Sequence, residues 1–200
     1  MSTREIVRAE SRTLKLGVAN SQVASLRSTV EAQTAVRVID GDRIGLASAV
    51  GSADISGLTA SARSSLVFDV PYPVAPQSDC SLTVHHSGDS RSADELVALT
   101  EAVLDVLRSE FPGFSHGVEQ CHRAWHIESD AGLDLHYSRD TTTVAFVAKE
   151  KGSGNIMDTF VGVEGATLDV DTIIAEFRSH LSAYGQLLAP VSGRVRVIFP

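Results

Sequence analysis

The stretch AVRVIDGDRIGLAS, residues 35–48, decides how the first part of this chain folds. Val36 to Ile39 leads straight into Asp40-Gly41, a dipeptide suited to a type I′ turn because both positions tolerate positive φ. Ile44, Leu46 and Val50 continue on the far side, so the stretch predicts a β-hairpin. Toward the N terminus, Leu14, Leu16 and Val18 alternate with Thr13, Lys15 and Gly17, the period of a strand with one buried face. Ala24, Leu26 and Val30 repeat that alternation more weakly. The first fifty residues therefore read as an antiparallel meander.

On the other side of the hairpin, Asp54 is placed to cap a helix with Ile55, Leu58, Ala62 and Leu66 on one stripe. Gly57 and several serines are poor helix formers there. Between Asp69 and Ser90 the composition changes: Pro71, Pro73 and Pro76 come close together, and the polar run HHSGDS follows. That composition predicts an extended connector.

A second unit opens at Ser92, where Ser92 and Glu95 form a capping box ahead of Leu96, Leu99, Val103 and Leu107. Phe111-Pro112-Gly113 stops the helix. Three strand-like stretches follow, Val118 to Glu128, Leu133 to Lys149 and Ile156 to Val163, separated by the turn sequences Asp130–Gly132 and Lys151–Gly154. A last helix is capped by Asp169, turns Val170, Ile173, Ile174, Phe177, Leu181 and Tyr184 inward, and ends at Gly185. Val195 to Phe199 reads as one more strand. Runs of strands followed by helices favour an α+β fold. The expected architecture is two similar subdomains, each an antiparallel meander packed with helices, related by a degenerate duplication. The units are residues 1–70, a connector 71–91, a second subdomain 92–189 and a closing strand 190–200.

Hydrophobic residues make up 43% and charged residues 21%, enough for a real core. The net charge of −8 and the scattered Lys and Arg argue against nucleic acid as a partner. No stretch approaches transmembrane length, and the start, MSTREIVRAES, has no apolar signal region. Cys80 and Cys121, two distant thiols, fit a reducing compartment, so a cytoplasmic location is expected.

The most tempting chemistry is His122-Arg-Ala-Trp-His126 beside Cys121. On a helix, two histidines four apart can share a zinc ion. Here the segment reads as a strand, where they share a face but stand roughly 13 Å apart at ~3.3 Å per residue. No glutamate lies within the motif to serve as general base. His85-His86 falls in the polar connector. Ser87-Gly-Asp89 and Ser129–Gly132 lack the G-x-S-x-G elbow, and Gly152-Ser-Gly154 lacks the helix and further glycine of a phosphate loop. Trp125, with Ile127 on its face of the strand, belongs to a core or an interface. The residues alone thus assign no catalytic, metal, cofactor or substrate position.

Residues 35–48, preceded by Ser11 to Leu16, resemble the hairpin region and leading strand of TldD/PmbA proteins, also called modulators of DNA gyrase. Ile127 to Leu133 is similar to that family's serine-glycine turn, Thr141 to Ala148 to the strand after it, and Pro190 to Pro200 to the segment entering its C-terminal domain. Ala35 or Thr34 stands where the family usually has glycine, and the helix that normally precedes the first strand is absent. The resemblance implies a family whose active members cleave unstructured peptides with zinc held by an HExxxH motif and a later cysteine, all in the C-terminal half. No position here matches that motif. The implied role is a non-catalytic N-terminal module, inactive alone, that assembles with TldD-like or PmbA-like subunits and admits extended peptide. It would be a piece of a longer protein or a shortened paralogue. Two other readings remain open: a stand-alone protein-interaction module, and a small zinc hydrolase using His122 and His126.

Overall fold

The computed structural model describes residues 2–51, 53–67, 79–109, 113–149 and 159–184. Strands β1 (Ser2–Ala19), β2 (Gln22–Asp40) and β3 (Arg43–Val50) form the expected meander, followed by helix α1 (Ile55–Ser64). Then come β4 (Cys80–His86), helix α2 (Ala93–Leu107), β5 (Gly113–Ser129), β6 (Leu133–Lys149), β7 (Thr159–Gly165) and helix α3 (Val170–Tyr184). The fold is α+β.

The two meanders share one sheet. Its strand order is β3-β2-β1-β5-β6-β4, with β7 also paired to β6. The join is β1 against β5, antiparallel from Glu5↔Ser129 to Val18↔His116. Strand β4 runs parallel to the first half of β6, and β7 covers the second half, Thr142 to Ala148. Residues 80–86 thus form a strand inside the stretch whose composition predicts a connector. Pairing with Leu133–Arg139 supplies the backbone partners that local composition does not announce. Residues 68–78, 110–112, 150–158 and 185–200 lie outside the described residues, and with them the three connector prolines, the Phe111-Pro112 helix stop, the Lys151–Gly154 turn and the closing strand.

Turn chemistry divides the two hairpins. Between β1 and β2, Asn20 (φ 51°) and Ser21 (φ 60°) both take positive φ, as a type I′ turn requires. Between β2 and β3, Asp40 pairs with Arg43, so the loop is Gly41-Asp42, and only Gly41 (φ 63°) is left-handed. The Asp40-Gly41 signal locates the hairpin correctly but does not make it type I′.

Alternation assigns the faces. On β1, Ile6 packs with Val36, Val38 and Ala62 of α1, while Leu16 and Val18 pack with α2 and α3. All three helices therefore lie on one face of the sheet. The larger core joins Leu96, Val103, Leu104 and Leu107 of α2 to Val118, Val144, Phe146 and Val161 of the sheet and to Ile173, Ile174 and Phe177 of α3. The predicted inward residues Ile173, Ile174 and Phe177 are buried; the side chains of Leu181 and Tyr184 lie outside what the structure describes. On β3, Leu46 and Val50 are 64% and 82% exposed, and it is Gly45 and Ala47 that face α1.

The helix caps follow the sequence. Asp54 accepts from the backbone N–H of Ser56 and Gly57. Ser92 and Glu95 make the reciprocal capping box of α2, and Asp169 accepts from the N–H of Thr172 at 2.7 Å. No helix among the described residues is long and apolar enough to cross a membrane.

Candidate functional site

On the helix-bearing face, the core under α1 and the core under α2 and α3 are separated along the strands by a polar strip. Strand register builds it row by row. One row runs Thr83, His136, His126, Arg8, Thr34 from β4 to β2. The next runs His85, Ser138, Ala124, Glu10, Ala32, and the third brings Asp140, His122 and Arg12 side by side. A cavity of about 410 Å³ is lined by Arg8, Thr83, His126 and His136 of the first row, by Ala124 and Ser138 of the second, and by residues of the row between them, Trp125 and Tyr137 included.

The two histidines of the HRAWH segment lie on β5 as expected, and each has its own carboxylate on β6. His122 Nδ1 is 2.6 Å from Asp140 Oδ1, and Asp140 Oδ2 accepts from the Gly88 amide at 3.4 Å. Burial pushes the Asp140 carboxyl up, but these hydrogen bonds outweigh it and leave it below the ordinary carboxylate range. His126 Nε2 is 2.8 Å from Asp134 Oδ1, and His136 Nε2 is 3.3 Å from the same oxygen. The hydrogen bond with His126 is the main reason that Asp134 also stays below its usual value. The His126 and His136 rings stack, centroids 4.0 Å apart and 10° from parallel. Arg8 bonds Glu128 at 2.9 Å and reaches His126 Nδ1 at 3.5 Å.

His122 and His126 are therefore not brought to one point. What the sequence reading missed is Asp134 and His136, whose contact with His126 exists only through the β5–β6 register. An Asp-x-His pattern on one strand opposite His-x-Glu on another is a signal only once the hairpin is aligned.

The remaining singled-out residues are accounted for by structure. Ser129 Oγ accepts from the N–H of Ala131 and Leu133, closing the turn in which Gly132 has φ 89°. His85 Nδ1 contacts Ser138 Oγ, and His86 lies beside Tyr137. Trp125 sits on the opposite, helix-free face against Tyr137, centroids 5.3 Å apart. That face also exposes Leu46, Val50, Leu82 and Phe160. Cys80 and Cys121 are free thiols.

Against known proteins, the family described as PmbA/TldA metallopeptidase domain 1 matches residues 5–66, the span from β1 through α1. A search of curated proteins finds no match. Among solved structures, a protein described as a modulator of a DNA gyrase from Thermotoga maritima is 13% identical, with a TM-score of 0.62, over 94% of this chain and 46% of that one. TldE from Thermococcus kodakarensis is 14% identical at a TM-score of 0.61, over 92% of this chain and 44% of that one. A protein described as a modulator of DNA gyrase from Bacteroides thetaiotaomicron is 9% identical at 0.68, over 94% and 47%. The chain spans about half the length of these structures. Residues 5–66 thus match the model of the PmbA/TldA metallopeptidase first domain, and the described chain has the fold seen in the modulator-of-DNA-gyrase structures.

Proposed function

We propose that this chain is the non-catalytic module of a TldD/PmbA-like zinc metallopeptidase assembly that processes unstructured peptides in the cytoplasm. It would contribute to subunit assembly and to peptide access, while the groups that cleave the peptide bond belong to another part of the assembly. The observation that carries this reading is the outer edge of β2. Strand β3 pairs only with Gln33 to Asp40, so among the described residues no strand covers the outer edge from Ala24 to Glu31.

The Gly51 amide donates to the Ala32 carbonyl at 2.7 Å, which fixes the side to which Ala32 turns its backbone groups. By the antiparallel repeat, Val30, Ser28 and Leu26 turn theirs the same way, outward. Leu26 and Val30 also expose apolar side chains beside that edge. An extended peptide can add there as a strand, satisfying its own amides.

Fluorescence anisotropy with a labelled unstructured peptide tests this. Ser28→Pro and Val30→Pro each remove one outward N–H without touching the β1 ladder, and binding should fall at least about fivefold. Unchanged binding in both variants would refute the edge as the peptide path. Peptide turnover by this chain alone, abolished by a chelator, would refute the non-catalytic assignment.

A further inference from the structure

The β5–β6 hairpin places four metal-binding side chains on one face in two consecutive cross-strand pairs. His126 lies opposite His136, and Glu128 opposite Asp134. Directly opposed residues hold their β-carbons about 4.5–5.5 Å apart, so imidazole and carboxylate tips converge without unusual backbone geometry. The nearby turn is fixed by the Ser129 hydroxyl and by Gly132.

The donor atoms of His126, Asp134 and His136 all fall within 4.8 Å of one another. Asp134 Oδ1 is 2.8 Å from His126 Nε2 and 3.3 Å from His136 Nε2, and Glu128 Oε2 is 3.9 Å from His126 Nε2. A four-coordinate ion with bonds of ~2.0–2.2 Å spaces its donors roughly 3.3 Å apart. The observed separations bracket that value. The stacked rings need a rotation to aim both Nε2 atoms at one point, and His136, about half exposed, is free to make it. Two imidazoles with carboxylate favour a borderline ion of the zinc type; calcium and magnesium demand more oxygen donors.

We propose that His126 Nε2, Asp134 Oδ1 and His136 Nε2, with Glu128 as fourth donor, form a binding site for a divalent transition ion such as zinc. His126 and His136 also line the 410 Å³ cavity, so two of the donors border the space that a ligand in the groove would occupy. The site is independent of the peptide edge on β2, so either reading can fail alone.

The geometry also sets a competitor. An ion on Nε2 leaves the imidazole proton on Nδ1, which faces the Arg8 guanidinium at 3.5 Å. Two donors then oppose each other, and the Arg8–Glu128 pair holds the fourth donor away from the ion. Removing Arg8 should therefore strengthen binding.

Titration of the tag-free 200-residue chain with zinc chloride by calorimetry, and with cobalt(II) by visible spectroscopy, tests the site. The expected result is one ion per chain, with the absorption of four-coordinate cobalt. Asp134→Asn and His136→Ala should each weaken zinc binding at least about tenfold, His122→Ala should leave it unchanged, and Arg8→Ala should tighten it severalfold. Circular dichroism of each variant establishes that the fold persists. Absence of stoichiometric binding, or losses in His122→Ala equal to those in His136→Ala, would overturn the proposal. Binding unchanged or weakened in Arg8→Ala would overturn the assignment of Nε2 as the donor.

Discussion

The carbonyl oxygen of Ala62 stands 1.8 Å from the point where a β-carbon on Gly45 would lie. Helix α1 rests directly on the β3 backbone at this position, and the contact is possible only because Gly45 carries no side chain. Gly45→Ala must push α1 off the sheet, an overpacking cost of about 1–3 kcal/mol. Urea denaturation should show a lower midpoint with little change in slope.

The same packing predicts opposite outcomes at adjacent residues. Leu46 points to the helix-free face and Ala47 packs against the α1 core. Leu46→Lys should change stability by no more than about 0.5 kcal/mol, whereas Ala47→Lys drives a charge toward apolar surroundings and should cost several times that. Equal effects in thermal melts would mean that the strand faces are assigned the wrong way round.

Phe177 on α3 and Phe146 on β6 are both fully buried, with ring centroids 5.5 Å apart. Phe177→Ala removes the largest α3 side chain from the larger core, leaving Ile173 and Ile174, and should cost about 3–5 kcal/mol. Chemical denaturation followed by far-ultraviolet circular dichroism measures it.

Asp140 supplies the pH-dependent prediction. Its folded carboxyl lies below its unfolded value, because bonds from His122 and the Gly88 amide outweigh the effect of burial. A carboxyl depressed in this way stabilises the fold fully above the unfolded value of ~3.9 and loses that contribution as pH falls through the lower folded value. Asp140→Asn keeps an acceptor but removes the charge. The wild-type chain should therefore exceed this variant in melting temperature near pH 6, with the gap closing below about pH 4. A gap that widens on acidification would contradict the assignment.

Much of the fold was legible locally. Caps at Asp54, Ser92 and Asp169 announce themselves because the capping side chain bonds backbone two or three residues away, within reach of any reader of the sequence. The inward stripe of α3 and the Leu14-Leu16-Val18 alternation follow from fixed helix and strand periods. Strand β4 was not legible, since Cys80–His86 is polar and exposed along much of its length and becomes a strand by pairing with residues more than fifty positions away. The inverted face of β3 was hidden for a related reason: Ile44, Leu46 and Val50 have the composition of a buried row, but close approach of α1 selects the small residues Gly45 and Ala47 instead.

By itself the sequence determined the class of fold, the helix N-caps and the β2–β3 hairpin, because these depend on periods and contacts spanning only a few residues. Only the tertiary structure decided that the two meanders fuse through β1 and β5 into one sheet, in which no strand among the described residues covers the outer edge of β2 from Ala24 to Glu31. It also decided that His126 meets Asp134 and His136 while His122 goes to Asp140. Cross-strand register sets those neighbours, and a shift of one residue would turn every one of these side chains to the other face.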